Sequence, residues 1–364
     1  MDVITLFKKL ITMKSETPDD GGILDFIAQY LPEYEAVRID KEGVKNLFVY
    51  KKFGAGDHLC FAGHVDVVPA GEGWQCDPYG AVEQKGYIYG RGTQDMKSGV
   101  AAFVQTLKTT TAYNGTLSLL LTSDEEGDAT YGTVEVLRYL DEHEMLPDAV
   151  IVAEPTSETV FGDAMKVGRR GSINGTIELR GKQGHAAYPE KAENPIHRIA
   201  PILESIAGVH LDEGDAFFSP SRLVITDIRS GMEVTNVTPG SLKMMFNVRN
   251  ATQTDAKSVE ALVRRHFKDT EYTLTLKQSA HPFMTDVNAK IVTILDESIA
   301  KVCQIEAKHS TAGGTSDARF IAPYGIDVVE FGVKNDRIHA PNERTSAAEV
   351  IGLYDVFCEV VRRF

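Results

Sequence analysis

The chain has 364 residues, 43% hydrophobic and 25% charged, with apolar material enough for a sizeable core, which excludes a disordered chain. Its formal net charge is −14, from 38 Lys and Arg against 52 Asp and Glu, which disfavours a nucleic-acid partner because phosphate binding needs a basic face. No run approaches the ~18 apolar residues of a membrane span, no signal-type segment precedes Glu16, and Cys60, Cys76, Cys303 and Cys358 form no CxxC pair, so a reduced, cytoplasmic protein is expected.

The spacing of Leu6, Leu10 and Ile11 predicts an amphipathic helix at the start of the chain. Leu59 to Gly63, Thr116 to Thr122 and Ala149 to Ala153 are short, nearly continuous apolar runs and read as buried strands. Between the first two, Val100, Phe103, Val104 and Leu107 recur at helical spacing; Val134, Leu137 and Leu140 suggest a second helix. Buried strands alternating with helices indicate a mostly parallel sheet flanked by helices, an α/β architecture.

From about Gly171 the texture changes. Ile173, Ile177 and Leu179 share one alternating face; a helix (Pro195 to Ala207), two strands (Leu223 to Ile228, Leu242 to Val248), a helix (Asp255 to Phe267) and a strand marked by Tyr272, Leu274 and Leu276 follow. That β-α-β-β-α-β order is the split unit of ferredoxin-like folds. The pattern returns to α/β with a helix from Ile291 to Val302, a strand from Val328 to Phe331, and a terminal helix carrying Val350, Leu353, Tyr354, Phe357 and Val361. Residues 1–170 and 281–364 are therefore expected to form one discontinuous domain, interrupted by an inserted α+β domain at 171–280.

The polar residues that follow the buried strands carry the chemistry. His64 and Asp66 follow the first strand, Asp124, Glu125 and Glu126 the second, and Glu154 the third, while Asp95 opens the helix containing Val100. Ligands of open parallel sheets bind outside the carboxyl ends of the strands, so these groups should converge there. His339, in the loop before the terminal helix, could close the cluster. Histidines with carboxylates and no thiolates suit Zn²⁺ at a hydrolytic site. Acids repeated at the ends of buried strands repel one another unless a cation compensates.

The strings Gly63-His64-Val65-Asp66-Val67-Val68-Pro69, Gly90-Arg91-Gly92-Thr93-Gln94-Asp95-Met96-Lys97, Thr122-Ser123-Asp124-Glu125-Glu126-Gly127 and Ala153-Glu154-Pro155-Thr156 resemble the di-zinc aminoacylase and carboxypeptidase family of metallohydrolases. Gly168-Arg169-Arg170-Gly171-Ser172, Gly181 to Pro189, Thr235-Asn236-Val237-Thr238-Pro239 and Gly313 to Phe320 narrow the resemblance to a member that removes a succinyl group from a small anionic amino-acid derivative. The likeness runs along essentially the whole chain. Sister hydrolases with the same metals, such as acetylornithine deacetylase, aminoacylase or a dipeptidase, are the alternative.

The resemblance implies two Zn²⁺ per subunit, with Co²⁺ able to substitute. One would be held by His64 and Glu154, the other by Glu126 and His339, with Asp95 bridging. It further implies that Glu125 is the general base and that Asp66 orients His64 through the ring's second nitrogen. Substrate-binding positions map onto Arg169 or Arg170, Tyr188, Asn236, Arg249, Gly314, Thr315 and Asn335. The inserted domain would make a homodimer, and His185 within it would reach the partner's active site to help stabilise the oxyanion. Arginines suit the forked recognition of carboxylates that such a substrate requires.

Overall fold

The computed structural model describes residues Met1–Phe364. The chain divides into two compact units, one formed by Met1–Gly168, Met284–Ser310 and Ser316–Phe364, the other by Arg169–Phe283 with Thr311–Thr315.

The first unit is built on an eight-stranded sheet in the order Glu35–Arg38, Asn46–Lys52, Thr116–Thr122, His58–His64, Ala149–Val152, Asp327–Glu330, Ala164–Lys166 and Lys308–Ser310. Thr116–Thr122, His58–His64, Ala149–Val152 and Asp327–Glu330 run parallel. Every residue from Leu59 to His64 is buried, as a central strand covered on both faces requires. The two strands at one edge pair antiparallel, with Asn46–Lys52 joined to Thr116–Thr122. The sheet is therefore mixed, though mostly parallel at its centre.

The helix Lys97–Thr109 is buried along almost its whole length, from Lys97 to Leu107. Phe103 stacks on Phe61 at 4.4 Å between ring centres and lies 4.5 Å from Phe357 of the terminal helix Ala347–Arg363, so one aromatic cluster joins sheet and helices. Gly99 allows the close approach: a Cβ there would lie 2.2 Å from that of Ala153, the residue before Glu154. The terminal helix starts at a capping box in which Ser346 and Glu349 satisfy each other's backbone amides.

The second unit holds a four-stranded antiparallel sheet in the order Arg222–Ser230, Ser241–Arg249, Ser172–Arg180, Tyr272–Ala280. With helices Pro195–Ile206 and Ala256–His266 between them, the chain order is β-α-β-β-α-β and the sheet order is ferredoxin-like. Leu242, Met244, Phe246 and Val248 alternate onto the buried face and pack with Val259, Val263 and Phe267. Asn194 and Asp255 cap the two helices through their side-chain oxygens. No helix of the chain is long and apolar enough to cross a membrane.

Candidate metal centre

The four parallel strands end on one edge of the first unit's sheet, and the loops leaving them supply the polar cluster. His64 is the last residue of its strand. Glu125 and Glu126 follow Thr122, Glu154 follows Val152, and His339 lies in the loop beyond Glu330. Asp95 sits at the end of a glycine-rich turn leading into Lys97–Thr109. Gly92 in that turn has φ +82, and a Cβ there would lie 2.6 Å from Val67, so only glycine fits.

Asp95 presents one oxygen to each histidine: Oδ1 is 3.1 Å from His64 Nε2, and Oδ2 is 3.4 Å from His339 Nε2. Glu154 Oε1 lies 3.8 Å from His64 Nε2, and Glu126 Oε1 lies 2.9 Å from His339 Nε2. The ligand atoms of His64, Asp95 and Glu126 fall within 4.8 Å of one another, close enough to share one ion.

Asp66 does more than face a ring. His64 Nδ1 bonds the backbone carbonyl of Asp66 at 2.9 Å, and its carboxylate stands off at 3.6 Å. That carboxylate accepts the amide N–H of Glu125 at 3.3 Å and of Glu126 at 3.1 Å, one on each oxygen. The family resemblance implied only the ring contact.

Carboxylates outnumber histidines in this cluster, and the protonation equilibria reflect it. Burial pushes Glu154 well above the usual carboxylate range, and Asp95 and Glu125 push the same way. Glu125 is pushed up to about 8, first by burial, with Asp317, Asp95 and Glu126 adding to it against the pull of His64. Burial disfavours a charged His64 ring, yet Asp66 and Asp95 outweigh it and raise its pKa well above that of an ordinary histidine. Hydrogen bonds to Asp95 and Glu126 raise His339 to about 10. Burial works against a charged Asp95 too, but the two histidines overcome it and hold the carboxyl below its usual range. The cluster draws protons in because it is short of positive charge, and a donor set of imidazoles and carboxylates suits a divalent ion such as Zn²⁺. The residues present therefore fit a metal.

Two residues at this site escaped the sequence reading. Glu343 is fully buried, and Arg91, 2% exposed, pairs with it at 2.8 Å. The only signal was a glutamate four residues after His339 and an arginine in the glycine-rich turn, types that are usually solvated. Of the expected substrate-binding residues, Asn335 belongs to this unit, where its N–H donates to the Ser157 carbonyl at 3.2 Å.

The others belong to the second unit. His185 pairs in register with Val237, next to Asn236, whose carbonyl accepts the Ala186 N–H. The Tyr188 ring, 53% exposed, lies 5.8 Å from that of His185. His185 Nδ1 accepts the Ala187 N–H, so a neutral ring carries its proton on Nε2 and is a donor there. Arg169 is buried and gives Nη1 to the carbonyls of Ala312 and Gly314, each at 3.3 Å, fixing the Thr311–Thr315 segment that includes Thr315. Arg170 is half-buried, and its Nε has no hydrogen-bond partner. Arg249 ends the strand Ser241–Arg249, in register with Arg222.

Comparison with known proteins gives a consistent picture. A model of peptidase family M20/M25/M40 matches residues 60–363. The succinyl-diaminopimelate desuccinylase of Sulfurimonas denitrificans is 66% identical over 361 residues, covering 99% of this chain and 99% of that protein. The enzyme of the same name from Nitratiruptor sp. is 64% identical over 364 residues, covering 100% of both. Among solved structures, an M20 family metallo-carboxypeptidase from Sulfolobus solfataricus superposes with a TM-score of 0.81 at 16% identity, over 100% of this chain and 99% of that one, a likeness of fold.

Proposed function

The chain belongs to peptidase family M20/M25/M40, and from that premise we propose that it hydrolyses the amide joining succinate to L,L-2,6-diaminopimelate, a step toward lysine and cell-wall precursor. The observation that carries this reading is full-length identity of 64–66% to relatives bearing that activity in their name. A sister activity such as deacetylation lacks support of that kind.

We assign His64 and Glu154 to one metal ion and His339 and Glu126 to a second, with Asp95 between them, as its two oxygens and the two histidines suggest. Zn²⁺ is the proposed ion, with Co²⁺ able to replace it. Bound there, such a pair supplies Lewis-acid polarisation and lowers the pKa of a nearby water. The chain's own residues do the rest. Glu125 takes a proton from the attacking water as its oxygen adds to the succinyl carbonyl carbon. Glu125 then delivers that proton to the amide nitrogen, the C–N bond breaks, and the new carboxyl yields its remaining proton, leaving succinate and an ammonium group. Asp66 holds Glu125 in place through the two backbone amides.

The substrate is an anion and the chain is strongly acidic, so cationic side chains must recognise it; Arg170 and Arg249 are proposed to do so directly, and Arg169 by fixing the loop of Gly314 and Thr315. Tyr188, Asn236 and Asn335 complete the proposed contacts. The ferredoxin-like unit is proposed as the dimerisation domain, bringing the Nε2 donor of His185 to the partner's site as an oxyanion ligand. The free cysteines fit a cytoplasmic location.

The experiment is succinate release from N-succinyl-L,L-diaminopimelate by the purified protein, with and without a chelator, alongside N-acetylornithine and a dipeptide. Chelator-sensitive turnover of the succinyl substrate alone is expected. Preference for either other substrate would replace the reading.

A further inference from the structure

Asp95 and His339 come from segments far apart in sequence, yet both must stand correctly at one metal. What fixes their separation is a buried ion pair that sits behind them. Glu343 is fully buried, and its carboxylate gathers the turn that carries Asp95. Oε1 accepts the amide N–H of Gln94 at 2.7 Å and of Asp95 itself at 3.3 Å. Oε2 accepts the amide N–H of Gly92 at 3.1 Å and an Arg91 Nη1 hydrogen at 2.8 Å. The Glu343 backbone carbonyl also receives the Gly90 N–H at 3.0 Å.

Arg91 also donates from both Nη atoms to the other ligand's loop. Nη2 donates to the His339 carbonyl at 3.3 Å, and Nη1 to the Ala340 carbonyl at 3.3 Å. Nη2 also reaches the Ala70 carbonyl at 3.1 Å, on the chain segment that follows His64 and Asp66. His339 needs such a clamp, because its φ is +59, a left-handed conformation that residues other than glycine adopt rarely. Gln94 adds a second tie: its Nε2 donates to Asp336 at 2.6 Å, and its Oε1 accepts the Arg337 N–H at 2.9 Å.

We infer that Glu343, acting through its buried pair with Arg91, is a positioning residue that sets Asp95 and His339 at the spacing a metal ion requires. A bare hydrophobic contact could not do this. An anion can satisfy the amide hydrogens of Gly92, Gln94 and Asp95 in one turn while neutralising the cation that holds the other loop's carbonyls. Outer groups that orient metal ligands in this way typically account for about 10–100-fold in metal affinity. The effect should fall mainly on the ion shared by Glu126 and His339, because His64 stands on a central strand that needs no clamp.

This inference rests on the ligand assignment proposed above, and the test separates the two. Zn²⁺ is titrated against a chromophoric competitor into the metal-free full-length protein, for wild type, His339→Ala, Glu343→Gln and the double variant Arg91→Met with Glu343→Gln. Co²⁺-loaded absorption spectra report ligand geometry in each. In His339→Ala one of two equivalents should be lost; if both remain at wild-type affinity, the ligand assignment fails and the inference with it. In Glu343→Gln one equivalent should weaken about 10–100-fold while the other changes less than threefold, with an altered Co²⁺ spectrum. Wild-type affinity for both equivalents there, with His339→Ala impaired, would overturn the positioning role alone. Should Glu343→Gln fail to fold because Arg91 is left uncompensated, the double variant removes both charges and decides the matter. Weak binding of one equivalent in the folded double variant supports positioning; restored wild-type affinity shows that Glu343 merely neutralises Arg91 and refutes it.

Discussion

Replacing Asp66 by Asn tests how the proposed base, Glu125, is held. Asp66 is fully buried, and each of its two carboxylate oxygens accepts one backbone N–H, from Glu125 and from Glu126. Asn keeps the shape but offers one oxygen; the other position becomes an NH₂ group facing an amide hydrogen. At least one buried donor therefore loses its partner, at about 1–3 kcal/mol, and the surviving bond loses its charge assistance. The turn must shift to relieve the clash, carrying Glu125 with it, and a displacement of ~1 Å in a catalytic group costs about 100-fold. We expect kcat for succinate release to fall about 100-fold with KM nearly unchanged. Thermal stability should drop by about 2 kcal/mol. The His64 Nδ1 hydrogen bond runs to the Asp66 carbonyl, which the substitution leaves intact, so metal content should be retained. The assay is initial-rate kinetics with parallel metal analysis and thermal denaturation. A kcat within threefold of wild type would refute the positioning of Glu125 by Asp66. A loss of turnover matched by loss of one metal equivalent would show that Asp66 acts through His64 instead.

Glu125→Gln should bind metal normally and lose about 10³–10⁴-fold in kcat, since the proposed mechanism gives this one carboxylate both proton transfers; retention of a tenth of wild-type turnover would place the base elsewhere. Arg249→Ala should lower kcat/KM for the succinyl substrate by one to two decades, about 1.5–3 kcal/mol, and barely affect an acetyl analogue that lacks the distal carboxylate; equal losses would make Arg249 structural. Co-expressed Glu125→Gln and His185→Ala chains should yield mixed dimers with one intact site, so about a quarter of all sites recover activity if His185 acts across the interface; proven mixed dimers with only the parents' mean activity would refute that. Burial lowers the His58 ring to about 4, below its unfolded 6.5, so the folded state favours the neutral ring and the stability it contributes is lost as pH falls from 6.5 toward 4. At pH 5 the loss is at most about 2 kcal/mol, reduced by screening at this half-buried position, and urea denaturation of His58→Gln should show a correspondingly flatter pH profile between 7.5 and 5.

The parts of the site that a sequence shows are those whose neighbours are local. His64 ends, and Glu126 and Glu154 follow, strands so apolar that their burial, and hence the sheet edge their ends occupy, is set by the run itself. The ferredoxin-like unit was legible for the same reason, because alternation and helical spacing are short-range patterns. The antiparallel edge was not, because Asn46–Lys52 ends in two lysines; nor was the helix Ile23–Tyr30, which has only eight residues and opens from a left-handed Gly22. Nor was the Thr311–Thr315 segment's place in the second unit, which depends on Arg169 reaching across more than a hundred residues of chain.

Glu343 marks the limit of such reading. By type it is an acid in a loop, usually solvated, and nothing within ten residues says that it lies buried under a turn some 250 positions earlier. Yet burying it there has a physical rationale. The turn around Asp95 offers the amide hydrogens of Gly92, Gln94 and Asp95 with no helix or strand to take them, and a buried donor without a partner costs about 1–3 kcal/mol. One carboxylate satisfies several at once, and its own charge then demands a cation. Arg91 meets that demand from within the same turn and has donors to spare for the carbonyls of the His339 loop. The ion pair thus follows from the backbone geometry that places Asp95. It couples two proposed ligands whose common position in the chain's chemistry is invisible in their order along it.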